Sequence, residues 1–380
     1  MDTAGARSLF PLTQRFVFMN HAGVAPLSER GRAAIEARME ALTDRPYVDG
    51  LAEEEADRLR ASIARLVGAQ AETIGLVRST AHGLSLLAQG LDWREGDNVV
   101  GARGEYPANV YPWMALRDRG VEYRMATPAG GRITPAAVLS LVDDRTRLVA
   151  LSHVQFWNGY RVDIETIGDE LDRRGVLFAV DAVQSVGALR LDLSALPVDF
   201  LAAGAGKWLL GPLGIGFCYC RPELLPRLRP VLVGVGSVKR GQEYFDYAYD
   251  LRETAHRFEE SSVSLLDVAA FQAAVDLLLD VGAEAVEERV LGLAGQLAAG
   301  LAERGHEVVE PWPRDRRESS GIVSFRRPGG TAHEVLRELN AARVVGRLHA
   351  DFVRLSPHFY NTPEEVERVL DVLAPQGAAE

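Results

Sequence analysis

Two polar residues set directly after apolar runs are the first to suggest chemistry. Asp181 follows VLFAV, with Gln184 three residues on, and Lys207 follows DFLAA and a glycine turn. After TIGLV the chain reads Arg78-Ser79-Thr80-Ala81-His82-Gly83, which places hydroxyls and free backbone N–H groups at a helix start and so suits a phosphate. After NVVGA, Glu105-Tyr106-Pro107 offers an aromatic face. Ligands of open α/β sheets sit outside the carboxyl ends of the strands, so these four strand ends belong to one cleft.

An amine, a carboxylate to keep a pyridine nitrogen protonated, a phosphate cup and a stacking ring are the parts an aldehyde cofactor such as pyridoxal 5'-phosphate requires. Singly, Asp181 reads as a helix N-cap and Lys207 as a solvated surface residue; their combination argues otherwise. The nucleotide alternatives fail on their own terms. Gly204-Ala205-Gly206-Lys207 ends like a phosphate-binding loop, but Leu201 stands for its first glycine and Trp208 for the Mg-binding Ser or Thr. Leu209 replaces the third glycine of a dinucleotide fingerprint, which also argues against a nicotinamide enzyme. Cys218 and Cys220 lie two apart in an apolar run and leave the same strand face, so no zinc site, redox pair or other metal site is expected.

The elements that must hold these residues are legible as alternation. From about Thr73 to Tyr219, short strand-like runs (TIGLV, NVVGA, VEYRM, TRLVALS, VLFAV, DFLAA, IGFCYC) alternate with helical patterns at 81–89, 110–119, 134–141 and 164–174. That order predicts an α/β fold with a large, doubly wound, mostly parallel sheet. After about Arg257, long helical stretches at 263–280 and 283–304 precede strands near 321–325 and 353–356. A last helix is expected to start at Thr362 with Pro363 behind it, completing a smaller C-terminal α+β domain. The expected division is an N-terminal arm, 1–25, a large cofactor-binding domain, 26–257, and a small domain, 258–380. With 42 Lys and Arg against 53 Asp and Glu, the net charge of −11 has the wrong sign for a nucleic-acid partner. No run of about 18 apolar residues and no signal-like N-terminus occurs, so a soluble, cytoplasmic protein without a membrane partner is expected.

The run FAVDAVQSVGALRLDLSALPVDFLAAGAGKWLLGPLGIGF resembles the cofactor segment of class V aminotransferases, a family of fold-type I pyridoxal phosphate enzymes. NHAGVAPLS, EYPANVYPW, RFEESS and RLSPHFYNTPEE resemble that family in the same order. The nearest branch looks like the selenocysteine lyase and isopenicillin N epimerase group, with cysteine desulfurases as more distant relatives. The resemblance implies Lys207 as Schiff-base lysine and proton shuttle, Asp181 as partner of the pyridine nitrogen and Gln184 as donor to the ring oxygen. It implies Tyr106 as the stacking ring, Ser79, Thr80 and Ala81 at the phosphate, and Ser262 as a phosphate ligand given across a homodimer with shared active sites. Arg354 falls on the arginine that pairs with the α-carboxylate of an amino acid substrate, with Asn158 as helper, since Phe156 occupies the place of the usual Asn. His21 is a further substrate-side candidate, beside the plainer reading of a loop His satisfied by backbone. Relatives carry Ser or Asp three residues before the lysine and His just before it, where this chain has Gly204 and Gly206.

Transamination is the default expectation because it asks only for Lys207, Asp181 and Arg354. A β-eliminating lyase and an amino acid epimerase are the alternatives, and a non-catalytic scaffold is a distant one. Cysteine desulfuration is disfavoured, because AARVVGRLHADF, the stretch before Arg354, lacks the loop cysteine that reaction needs.

Overall fold

The computed structural model describes residues 1–45, 51–309 and 315–374. After a short N-terminal strand β1 (Val17–Phe18), seven strands follow: β2 (Ile74–Val77), β3 (Asn98–Ala102), β4 (Glu122–Ala126), β5 (Thr146–Ser152), β6 (Leu177–Asp181), β7 (Phe200–Gly204) and β8 (Gly216–Cys220). They form one sheet in the order β2-β8-β7-β6-β5-β3-β4. All neighbours are parallel except β8, which runs antiparallel to both β2 and β7. Each predicted strand is present to within about a residue at its ends, and the expected large, mostly parallel α/β sheet is the architecture found.

Alternate side chains of the central strands feed two cores, as the pleat requires. Val149, Leu151, Phe178, Val180, Leu201 and Ala203 enter one, and Leu148, Ala150, Leu177, Ala179, Phe200 and Ala202 the other. With both faces covered, these strands carry near-continuous apolar runs, which is why they stand out in the sequence. One helical expectation is modified: 110–119 is a single α-turn, Tyr111–Met114, that tightens into a 3₁₀ segment, Ala115–Arg119, and stops at Gly120 with φ of 74°. Elsewhere the caps are those the sequence offers. Asp163 caps Ile164–Arg174, and Thr362 and Glu365 form a capping box at Pro363–Val372.

The C-terminal sheet comprises β9 (Glu307–Val308), β10 (Val323–Arg326), β12 (Arg347–His349) and β13 (Phe352–Leu355), ordered β12-β13-β10-β9 and antiparallel throughout. The remaining strand, β11 (Val344–Val345), pairs in parallel with β1 and so ties the N-terminal segment to this layer. Val323, Phe325, Val353 and Leu355 point from one face into a third core with helices Ala283–Glu303, Ala332–Ala341 and Pro363–Val372. Helix Leu265–Val281 lies beyond residue 257 but sends Val268, Phe271, Ala274, Val275 and Leu278 into a core of the large sheet.

Candidate active site

The carboxyl ends of β2, β3, β6 and β7 meet as expected. Asp181 ends β6, is 2% exposed, and accepts one hydrogen bond, from the Val183 N–H at 3.0 Å. Among the described residues no cation lies at ion-pair distance from it. Burial pushes its carboxyl up to about 7, against the Val183 bond and Lys207, while nearby Glu105 pushes the same way as burial. A protonated ring nitrogen is the kind of partner that such a carboxylate lacks.

Lys207 sits in the turn after β7. The turn is closed by the Gly211 N–H to the Ala205 carbonyl at 3.0 Å and pinned by the Ala25 N–H to the Gly206 carbonyl at 2.9 Å. Its Nζ lies 5.3 Å from the ring centroid of Tyr106, a cation over an aromatic face. Burial lowers its pKa to about 8, with Asp181 opposing and Arg354 adding to the shift. The amine thus has a neutral fraction near neutral pH, as a proton acceptor requires.

Helix Thr80–Gly90 starts beside this turn. Ser79 caps it through the His82 N–H at 3.1 Å, and Thr80 Oγ1 accepts from the Gly204 N–H at 2.9 Å, tying two strand ends together. The amides of Thr80 and Ala81 open the helix and have no intrahelical acceptor, the usual cradle for an anion. A Cβ at Gly204 would make only ordinary contact with Thr80, 3.5 Å from Oγ1, so a close approach does not require glycine there. At Gly206 a Cβ would come within 2.6 Å of Leu213 Cδ2, so a larger residue there would require the Leu213 side chain to shift.

The opposite wall comes from the C-terminal sheet. Arg354 of β13 is 3% exposed and donates from Nη1 to the Phe156 carbonyl at 2.6 Å, while its Nε has no partner. Burial and then Arg347 lower its pKa to about 10, with Tyr106 opposing. Phe156 packs edge-on against Tyr106 and against His349, with centroids 5.2 and 5.7 Å apart. Lys207, Asp181, Tyr106 and Arg354 therefore surround one cleft.

Three sequence candidates stand apart from it. His21 is buried with both ring nitrogens engaged, by the Ser356 carbonyl at 2.8 Å and the Tyr360 hydroxyl at 2.6 Å. Asn158 spends its amide on the Gly131 carbonyl and the Tyr160 N–H, each at 3.0 Å, so the helper at Arg354 is the Phe156 carbonyl. Ser262 is exposed and lines a different cavity, with Arg60, His256 and Tyr244.

Two residues without a role in the sequence reading are prominent. Glu105 is buried and accepts from Ser152 N at 2.8 Å, Gln155 Nε2 at 2.9 Å and Ser152 Oγ; burial still raises its pKa. Its only signal was a carboxylate beside the aromatic at a strand end. Trp208 donates Nε1–H to Gln184 Oε1 at 2.8 Å, and Gln184 Nε2 donates to the Ala22 carbonyl at 3.1 Å. Those bonds fix the amide orientation and leave one N–H of Gln184 for another acceptor. Among the described residues no three metal-ligating side chains converge, and no helix is long and apolar enough to cross a membrane.

The chain is 30% identical over 370 residues to the uncharacterized aminotransferase YcbU of Bacillus subtilis, covering 97% of this chain and 96% of that one. It is 29% identical to a probable cysteine desulfurase of Methanothermobacter thermautotrophicus, covering 83% of this chain and 82% of the relative. It is 30% identical to the isopenicillin N epimerase of Streptomyces clavuligerus, with the same two coverages. A solved mutant of C-DES with glycine covalently linked to its PLP cofactor superposes with a TM-score of 0.90 at 26% identity, over 97% of this chain and 99% of that one. The family model described as "Aminotransferase class-V" matches residues 48–369, and the chain belongs to that family.

Proposed function

We propose that the protein is a pyridoxal phosphate enzyme that acts at Cα of an amino acid, and that its reaction is transamination. The observation that carries this is the convergence of Lys207, Asp181, Tyr106 and Arg354 on one cleft. When bound, the cofactor supplies an electron sink for negative charge at Cα. Asp181 would keep the ring nitrogen protonated, and the spare N–H of Gln184 would be free to donate to the ring oxygen. Thr80 and Ala81, with Ser79 as cap, receive the phosphate on their free amides. Tyr106 would supply the stacking ring. Arg354 grips the substrate α-carboxylate through its fork and so sets which Cα bond faces Lys207, whose Nζ takes the proton and returns it.

Desulfuration is disfavoured for this chain although relatives bear that name. Among the described residues its only two thiols, Cys218 and Cys220, are buried in β8, and burial pushes Cys218 up to about 12. The test is a panel of amino acids and cysteine conjugates, each with a keto acid acceptor. Transamination gives one new keto acid per aminated acceptor and no ammonia. Ammonia with pyruvate marks β-elimination, and inversion at Cα without keto acid marks epimerisation.

The proposal includes a homodimer with shared sites in the cytoplasm, Ser262 serving the partner's phosphate. It is supported by the exposure of Ser262, which lines a cavity with Tyr244, and by the exposed Phe245, Tyr247 and Tyr249 that follow Tyr244 in the chain, aromatic surface of the kind an interface covers. Sedimentation as a monomer with full activity would end it. The division into arm, large and small domains is kept, with helix Leu265–Val281 assigned to the large one on the packing of Phe271 and its neighbours.

A further inference from the structure

One face of the C-terminal sheet looks into the cleft, and its charges are all of one sign where they matter. In the register of β10, β12 and β13, Arg347 pairs with Arg354, His349 with Phe352, and Ser324 with Arg354. Directly opposed residues of an antiparallel pair project from the same face, so Arg347, His349, Phe352 and Arg354 share one side, the side away from the apolar core of this layer. That side meets the large domain. Ser324 Oγ donates to the Trp157 carbonyl at 2.5 Å, Arg354 reaches the Phe156 carbonyl, and His349 lies against Phe156.

Two guanidiniums directly opposite each other repel. Elsewhere on the same face the problem is solved within the protein: Arg326 forks onto Asp351, at 2.7 and 3.2 Å. Arg347 and Arg354 have no such solution. Among the described residues neither has a carboxylate at ion-pair distance, Arg354 Nε has no partner, and neither has His349 Nε2. Arg347 is exposed, at the outer end of the pair, whereas Arg354 is buried at the inner end.

We infer that Arg347 binds a second carboxylate of the substrate, so that the enzyme takes an amino or keto acid whose side chain ends in a carboxylate. One arginine is committed to the α-carboxylate. The other stands beside it with its fork free, and a dianion spanning the two relieves a repulsion that a monocarboxylate leaves half in place. His349 and Phe156 then line the stretch between the two carboxylates, a stacking surface for the connecting chain. A solvated surface arginine is the plain alternative for Arg347, and its place opposite Arg354 argues against it.

The inference rests on the cleft being an amino acid site, and one experiment separates the two. Binding of glutarate and of pentanoate, which match in length and lack an amino group, is measured by calorimetry on the holoenzyme and on Arg347→Ala, Arg347→Lys and Arg354→Ala. The wild type should prefer glutarate by about ten- to a hundredfold, the size of one charge-assisted pairing. Arg347→Ala should erase that preference with little change for pentanoate, and Arg347→Lys, which keeps charge without the planar fork, should retain part of it. Arg354→Ala should weaken both acids. If Arg354→Ala weakens both but Arg347→Ala keeps the glutarate preference, the second-carboxylate site is wrong and the cleft stands. If Arg354→Ala changes neither, the cleft reading itself falls and this inference falls with it.

Discussion

Glu105 and Arg354 are both charged, both buried and both placed on walls of one cleft, yet they are finished differently. The Glu105 carboxylate collects three donors from Ser152 and Gln155, all supplied by the large domain. Arg354 has one protein acceptor, an unpartnered Nε, and no carboxylate among the described residues. At Glu105 the large domain satisfies its own buried charge as the chain folds, whereas at Arg354 the C-terminal sheet keeps an unspent donor. A buried donor left without a protein partner is satisfied by water or by a ligand. The two charges therefore differ in what finishes them: the fold itself for Glu105, and water or a ligand for Arg354.

The largest effect that can break this division belongs to Lys207, which sits between the two walls. Lys207→Ala should lower amino-acid turnover by about a hundredfold to ten-thousandfold, the usual range for loss of a positioned proton-transfer group. Borohydride reduction of the holoenzyme followed by peptide mass mapping should add the cofactor mass at Lys207. The chain has one other lysine, Lys239, exposed and paired with Glu253 at 2.7 Å. Label at Lys239 would move the chemistry off the cleft.

Next in size is the contrast between the walls themselves. Glu105→Ala strips acceptors from buried donors and should cost about 1–3 kcal/mol for each one left bare, read by chemical denaturation. Arg354→Met removes an under-partnered buried cation and should leave stability unchanged or higher. Its effect should fall on ligand: amino acid binding weakens about ten- to a hundredfold while cofactor affinity holds. Equal destabilisation by both substitutions would show that the walls are not different in kind.

The large-sheet wall was readable from sequence because its logic is local. Asp181, Lys207 and the Ser79–Thr80 start follow buried strands whose runs of Val, Leu, Phe and Ala mark their ends within about a residue. Arg354 was legible only through the RLSPHFYNT resemblance, since nothing in its own strand says which face meets the cleft. Glu105 was passed over because a single acidic residue after a strand carries no sign of burial. Its partners stand 47 and 50 residues away, in the neighbouring strand and loop. His21 and Asn158 show the converse: polar residues in suggestive segments whose hydrogen bonds go to partners that only the tertiary fold brings near, the Ser356 carbonyl and Tyr360 hydroxyl for His21, in keeping with its plainer reading, and the Gly131 carbonyl for Asn158. The opposed pair Arg347 and Arg354 depends on strand register, which sequence alone does not fix.

A smaller effect sharpens the comparison through pH. In cofactor-free protein Asp181 titrates near 7 against an ordinary value of 3.8, so between those values the folded state binds the extra proton. Stability should therefore fall as pH rises from about 4 to 7. The Lys207 pKa is displaced the other way, to about 8 from 10.5, so the unfolded state binds the extra proton in that window and stability should rise with pH across it. Thermal midpoints of cofactor-free Asp181→Asn should show a shallower decline from pH 4 to 7 than the wild type. Identical slopes would mean that Asp181 is not the strained carboxylate of this wall.

The smallest expected effect lies at the seam. Tyr106 is 46% exposed, carries Lys207 Nζ over its ring at 5.3 Å and meets edge-on Phe156, whose carbonyl accepts from Arg354 of the facing wall. If its contribution is the ring face, as the stacking role requires, Tyr106→Phe should leave cofactor affinity within about twofold. Tyr106→Ala should cost about three- to tenfold, the worth of one aromatic contact. The hydroxyl has a competing claim, because Tyr106 packs against Phe156, whose carbonyl holds Arg354. Titrating each variant with cofactor by absorbance, and then with a monocarboxylate, separates the two. A Tyr106→Phe protein that holds cofactor normally but binds the carboxylate differently assigns the hydroxyl to the substrate wall and the ring to the cofactor wall. A loss of cofactor affinity in Tyr106→Phe as large as in Tyr106→Ala would leave no part for the ring face.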